Sequence, residues 1–204
     1  SSVVPPALVN GVSVTATQSG SVSPYPTAYT SCGNTTPANS IHMGATGIFS
    51  YTFNFSVAVN NVVIVITATG SGVNEIFNLM TSSGAPAITI NSSCFTTVTG
   101  AQISSGMGSG PTGGGGIFTV TALTPFTSLT ISGPGGQAGS LFALCNNSVL
   151  PFNSANTVKM CDGDSILLQN AYQKTGGVYR DTLISSIGVD SIITTTLEIE
   201  ERPV

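Results

Sequence analysis

Charge is what this sequence has least of. Only 6% of its 204 residues are Asp, Glu, Lys or Arg, there is no Trp, and His42 is the one histidine. Glu75 is the only formal charge before Lys159, whereas an ordinary soluble domain is about a quarter charged. Each absence excludes something. Four basic residues and a net charge of −4 leave no basic footprint for nucleic acid or for an anionic membrane surface. Mean hydropathy is positive at +0.37, yet no apolar run approaches the ~20 residues of a membrane-spanning helix. The longest, Val62-Val63-Ile64-Val65-Ile66, is strand-sized.

Chemistry is equally constrained. Catalysis needs positioned acids, bases or nucleophiles, and the stretch up to Val158 offers one carboxylate and one imidazole. A glycosidase wants two carboxylates. A Ser-His-Asp arrangement would have to borrow its acid from beyond Lys159, and no Gly-x-Ser-x-Gly elbow occurs. His42 reads as a strand-edge or loop residue, and Glu75 as the solvent-facing start of a strand. The expectation is a protein that is not an enzyme and carries no cofactor.

What the sequence does contain is β-forming. Val, Ile, Thr, Phe and Tyr lie in short runs between clusters of Gly, Pro, Asn and Ser, the pattern of a sandwich or barrel. Expected strands are 11–17, 47–56, 61–68, 75–80, 87–90, 94–98, 117–123, 128–132 and 140–145. In the second of these, Phe49, Tyr51, Phe53 and Phe55 share one face, with Ser50, Thr52 and Asn54 on the other. Val62–Ile66 lacks alternation and should be covered on both faces. The fold class is therefore all-β, an antiparallel β-sandwich of jelly-roll or immunoglobulin-like type.

Gln102–Gly116, QISSGMGSGPTGGGG, reads as a mobile surface loop, and Pro24 to Ser40 as a second irregular segment. Gly108 to Gly113 matches G-x-G-x-x-G, but no helix follows and no acid lies nearby, so the match is compositional. After Leu150-Pro151 charges appear. Residues 1–152 are expected to form the sandwich and 153–204 a small β module with strands at 165–169, 177–184 and 190–199. A module that small has a thin core.

That module carries Cys161-Asp-Gly-Asp-Ser165-Ile, then Gly177-Val-Tyr179-Arg-Asp181-Thr-Leu183, then Gly188-Val-Asp190-Ser-Ile192. The three motifs in this order resemble the short β repeat of the large secreted adhesins of Bacteroidota, the gliding-motility and type IX-secreted surface proteins. The resemblance covers about 40 residues; the first domain looks more loosely like the β-sandwich modules that precede such repeats. It implies an adhesive cell-surface role without a known active site. In that repeat the position of Val189 is commonly Cys, so Cys161 here lacks its usual partner. Four Cys residues allow three connectivities; the expectation favours Cys32–Cys94 within the sandwich and Cys145–Cys161 across the junction. Asp164-Ser165, Asp181-Thr182 and Asp190-Ser191 also look like the Asp-Ser/Thr-apolar O-glycosylation motif of Bacteroidota, which makes Ser165, Thr182 and Ser191 glycan candidates beside a plain structural role. The Asn-x-Ser/Thr triplets at Asn34, Asn54, Asn91 and Asn146 are expected by chance in this composition.

For metals the sequence offers little. One His and scattered Cys give no zinc ligand pairs, and Asp162 with Asp164 is a weak calcium candidate without a third carboxylate in reach. Four Cys in a Ser/Thr/Asn-rich chain point to an oxidising compartment. The chain opens on Ser1 with neither charged n-region nor apolar h-region, as a secreted protein does once its signal is removed. Two functional readings follow. One is an extracellular structural or adhesive surface protein that meets neighbouring copies of itself, assembling by strand addition into a filament; the first sixteen residues, with Leu8, Val12 and Val14 on one face, or the C-terminal strand, would supply the strand. The other is a carbohydrate-binding module that meets surface glycans through Tyr25, Tyr29 and the Gly-rich loops.

Overall fold

Phe49, Tyr51, Phe53 and Phe55 are each buried to within 5% of full enclosure, and the strand they define organises the rest of the chain. A computed structural model describes residues 2–70, 74–107, 110–136, 138–145, 148–149, 154–184 and 190–200. In chain order, β1 (Ser2–Val3), β2 (Ala7–Val9), β3 (Val12–Gly20) and β4 (Val22–Tyr25) lead into the short β5 (Tyr29–Ser31) and β6 (Asn34–Thr36). Then come β7 (Ser40–Met43), β8 (Phe49–Val59), β9 (Val62–Thr69), β10 (Glu75–Thr81), β11 (Ala87–Cys94) and β12 (Thr96–Thr99). β13 (Gln102–Ser105), β14 (Gly114–Thr121), β15 (Phe126–Gly133) and β16 (Ser140–Cys145) follow. The last five are β17 (Ser154–Cys161), β18 (Ile166–Leu168), β19 (Ala171–Gln173), β20 (Gly177–Ile184) and β21 (Asp190–Glu200).

The chain is all-β, as the alternation predicts, and its larger part is a sandwich. A front sheet runs β12-β13-β10-β15-β8-β3-β2, and a back sheet runs β11-β14-β9-β16-β7-β4 with β1 paired to the end of β16. One apolar cluster fills the space between them: Phe49, Phe53, Phe77, Leu79, Leu129 and Ile131 from the front, Ile64, Ile66, Phe118, Val120, Phe142 and Leu144 from the back. Each such side chain contributes about 1.5–3 kcal/mol on burial.

β9 is flanked on both sides, by β14 and β16, and Val65 on its outer face is only 3% exposed. The cover is a hairpin, β5–β6, laid over the back sheet. Thr36 Oγ1 bonds Thr67 Oγ1 at 2.7 Å, while Ser31 Oγ donates to Gly114 O at 3.0 Å and accepts from Ala68 N at 3.2 Å. The Cys32–Cys94 disulfide ties the hairpin turn to the end of β11, as expected from the sequence. Pro24 to Ser40 is thus not irregular: three of its short strands build or cap the sheet.

The glycine-rich segment also departs from expectation. Gln102–Ser105 is strand β13, and Gly113 to Gly116 are buried rather than mobile at the surface. A Cβ on Gly115 would stand 2.2 Å from Ile66 O at a φ of +144°, and one on Gly116 2.4 Å from Ser92 O. The glycines let β14 pass between β9 and β11 where no side chain fits.

Leu8 is 75% exposed rather than inward, and Val9 takes its place in the core. Asn10 and Gly11 both have positive φ and form the two-residue turn between the paired Val9 and Val12, a geometry that suits Asn-Gly. That turn sets the register one residue away from the simple stripe.

Beyond the sandwich, β17, β21 and β20 form a three-stranded sheet in that order, with β17 parallel to β21. The C-terminal strand is therefore central and not a free edge. Of the three strands expected here, the first is the separate hairpin β18–β19, turned by Gln169 and Asn170, both at positive φ. The unpredicted β17 takes its seat beside β21. The boundary placed at 152/153 lies outside the described residues, as do Gly188 and Val189.

The second expected disulfide is corrected. Cys145, half-buried at the end of β16, and Cys161, exposed at the end of β17, are separate thiols. From Ser154, β17 extends Cys161 by seven residues, roughly 23 Å at strand rise, towards Glu200.

Two stability outcomes follow. Gly115→Ala should cost more than about 2 kcal/mol through the backbone clash and strain, whereas Gly110→Ala, with open space around it, should stay within about 0.5 kcal/mol, both read by urea unfolding. Replacing Cys32 and Cys94 together by Ala should lower stability by about 4 kcal/mol, the chain-entropy value for a 62-residue closed loop.

Candidate functional site

The outward face of the front sheet is built from the residues that alternate with its core. Because side chains repeat every second residue, β3 contributes Thr15, Thr17 and Ser19, β8 contributes Ser50, Thr52 and Asn54, and β15 contributes Ser128, Thr130 and Ser132. Pairing sets them in ranks: Thr15–Asn54–Ser128, Thr17–Thr52–Thr130 and Ser19–Ser50–Ser132. The last rank continues through Asn78 and Gln102 to Thr99, crossing six strands. At about 4.8 Å between strands, the rank spans roughly 24 Å.

No formal charge and no aromatic ring stands in these ranks. Thr52 Oγ1 and Thr130 Oγ1 bond each other at 2.8 Å, and Gln102 Nε2 donates to Asn78 Oδ1 at 2.9 Å. A hydroxyl offers one donor and two acceptor positions, so most of the row's capacity still faces outward. The surface is broad, hydrogen-bonding and electrically neutral.

Glu75 gives the second feature. It is 2% exposed, not solvent-facing, and it starts β10 against the start of β16. Ser140 Oγ donates to its Oε2 at 3.1 Å, while Oε1 has no hydrogen-bond partner among the described residues. A Cβ on Gly136 would lie 2.7 Å from Oε1, so only glycine lets the backbone press against the carboxylate. Burial pushes the Glu75 carboxyl above its ordinary value of 4.5; the Ser140 hydroxyl, the backbone of Gly139 and Gly70, and the His42 charge pull in the opposite direction.

His42 lies on β7, one strand in from the edge, packed edge-on against Tyr25 with ring centroids 5.6 Å apart. Its Nε2 is 2.9 Å from Ala138 O; a carbonyl only accepts, so that nitrogen carries the proton. The fold therefore brings the lone early carboxylate, the lone imidazole and a serine to one corner, a grouping invisible in the linear sequence. Ser140 is fully buried and commits its proton to Glu75 rather than to an imidazole. The corner has the parts of an acid-base group without their catalytic order.

The other expected positions fall apart in space. Tyr25 and Tyr29 are half-buried, and Tyr29 OH donates to Thr112 O at 3.3 Å, so neither is a free stacking platform. Asp162 and Asp164 occupy an exposed turn closed by Asp164 N on Cys161 O at 3.1 Å. Among the described residues no group of three His, Cys, Asp or Glu is placed to hold a metal. Ser165 is exposed beside that turn, and Thr182 and Ser191 lie on β20 and β21. Asp181 Oδ1 accepts from Gln169 N at 2.6 Å, which fixes the β18–β19 turn. Among the described residues no helix is long and apolar enough to cross a membrane. Comparison with known proteins finds no matching family model, no similar curated protein and no similar solved structure.

The buried carboxyl predicts a pH signature. An acid whose folded pKa exceeds its unfolded value binds its proton more tightly in the native state, so stability falls as pH rises from about 4.5 through the raised value. Glu75→Gln should remove that fall and be more stable than the parent at neutral pH. The difference between the two in denaturant midpoint should shrink on acidification; a difference that holds constant with pH would show that Glu75 does not titrate with folding.

Proposed function

We propose that this protein is an extracellular, non-enzymatic structural or adhesive surface protein that works through broad neutral faces instead of a cleft. The observation that carries this reading is the rank of hydroxyl and amide side chains crossing six strands of the front sheet. Such a face gains little from ionic steering and is insensitive to salt, because it has no charge to screen. It suits many weak hydrogen bonds to another extended surface, including neighbouring copies or modules of the same assembly. The Cys32–Cys94 disulfide supports an oxidising location. At the Glu75 corner the buried serine and committed protons support a structural role rather than a chemical one.

A carbohydrate-contacting role is the second reading, and the same face favours it. Hydroxyl ranks complement the hydroxyls of a polysaccharide chain, with hydrogen bonds in place of aromatic stacking. Glycans carried by the protein itself would stand at Ser165, Thr182 and Ser191, in the last sheet and its adjoining turn.

Beads coated with the protein should be retained on a polysaccharide-coated surface or on a surface of the same protein. Introducing Thr17→Glu, Thr52→Glu and Thr130→Glu together should weaken retention by more than about tenfold, since several bonds of about 1 kcal/mol are lost. The parent should be unaffected by added salt. Retention that persists in the folded triple variant would sink this reading, and the choice of surface separates its two forms.

A further inference from the structure

The two lateral sides of the sandwich are not equivalent. On one side lie the edge strands β2 and β4. β2 is three residues long and follows directly on Pro5-Pro6, and β4 contains Pro24. Three residues are too few for a stable ladder at β2, and at β4 proline has no N–H to donate, so both edges are poor templates for another strand.

On the other side lie β11 and β12, joined through Phe95 alone and forming the free edges of the back and front sheets. β11 is eight residues long, Ala87 to Cys94, with no proline and no charge. Residues 89 to 93 are exposed at consecutive positions, which alternation within a covered sheet forbids. Beside it opens a groove of about 550 Å³ lined by Pro86, Ile88, Val98, Ala101, Ala122 and Leu123, the last fully exposed. Natural edges are guarded by Lys, Pro, extreme shortness or bulges. Here the bulge between Ile90 and Ser92 and Pro86 just ahead of the strand bound a regular stretch, Ala87 to Ile90, that has no guard of its own.

We propose that β11 pairs antiparallel with β11 of a second copy of this chain, joining two back sheets across a two-fold axis. Unpaired backbone groups on an edge are complementary only to another extended chain. Any charged strand would leave its charge against an uncharged groove, whereas an identical copy brings a neutral strand of the same length. Among the described residues three edge strands are eight residues long and free of proline; β17 and β20 of the last sheet carry Lys159 and Arg180 with Asp181, and β11 alone carries no charge. An isologous contact of this kind consumes the edge it uses. Because the opposite edges of the sandwich are closed by shortness and proline, and the edge strands of the last sheet are guarded by charge, strand addition builds a pair and not a filament. This goes beyond the adhesive reading, names its own partner and stoichiometry, and does not rest on the front-sheet face.

The full chain, with its free thiols alkylated beforehand so that no intermolecular disulfide contributes, is studied by sedimentation equilibrium over a wide concentration range. A monomer–dimer equilibrium is expected, with Thr89→Lys and, separately, Ser93→Lys each raising the dissociation constant at least about tenfold. Thr175→Lys, exposed just before β20 and on neither surface, should leave it unchanged, and thermal unfolding confirms that each variant is folded. Hydrogen exchange should slow at β11 amides as concentration rises and remain unchanged at β2 and β4. A monomer at every concentration, growth beyond two copies, or a dimer indifferent to both edge lysines would each overturn the proposal. Loss of bead retention in the front-face variant with an intact dimer would leave it standing.

Discussion

The contact on which the sandwich depends is a chain of three phenylalanine rings. Phe77 of the front sheet meets Phe142 of the back sheet edge-on at 5.0 Å, and Phe49 tilts against Phe77 at 6.1 Å. Two sheets about 10 Å apart need side chains that reach across the gap, and these rings do so at the end where β8, β10 and β16 converge. Phe49 fits because its neighbours are small. A Cβ on Gly133 or Gly44 would stand 2.9 or 3.0 Å from its ring. A slip of one residue in β8 would turn all its rings outward, so the aromatic stripe fixes the register of β3 and β15, and with it the hydroxyl ranks on the opposite face. Core and surface are thus set by the same pairing.

Scarcity of charge shapes the rest. With no lysines or glutamates to hold solvent, the sandwich relies on backbone ladders and on Ser, Thr and Asn. Much of that polarity is turned inward: Ser31, Thr36, Thr67, Thr69 and Ser105 are all buried. They bond one another across the back sheet, the covering hairpin and β13, with Thr69 Oγ1 and Ser105 Oγ at 3.0 Å and Thr96 Oγ1 on Ser105 Oγ at 2.6 Å. The one carboxylate among these strands is buried as well, against glycine backbone. Charge returns only from β17 onward, where exposed Lys159 sits 2.7 Å from Glu200 across the parallel β17–β21 pair.

What could be read in the linear sequence was local. The Phe49–Phe55 alternation announces its strand, its buried face and its polar face without ambiguity. The apolar run at Val62 announces a strand covered on both sides. Pairing partners were not legible, because register arises from turns and bulges many residues away; Ser50, Thr52 and Asn54 could be assigned a face but not neighbours. The glycine run misled because composition speaks for flexibility, whereas Gly115 and Gly116 are glycine for lack of room. Glu75 misled for a related reason. A single carboxylate in a strand is ordinarily solvated, and the glycines that enclose it at 70, 136 and 139 are far apart in sequence. β17 is not legible in the sequence, because its polar residues alternate weakly and its partner, β21, lies nearly forty residues downstream.

The covering hairpin has a consequence for a chain under tension. Cys32 and Cys94 enclose 62 residues of sequence separation, including the whole of β8 and β10 of the front sheet and of β9 in the back sheet. Pulled from its ends, an opened sandwich could lengthen only by the segments outside that ring. Roughly 200 Å of contour length, at about 3.3 Å per residue, would stay locked until the covalent bond itself was reduced. The clasp therefore works as a limiter on extension, converting a reversible tear of the outer strands into a fixed maximum travel.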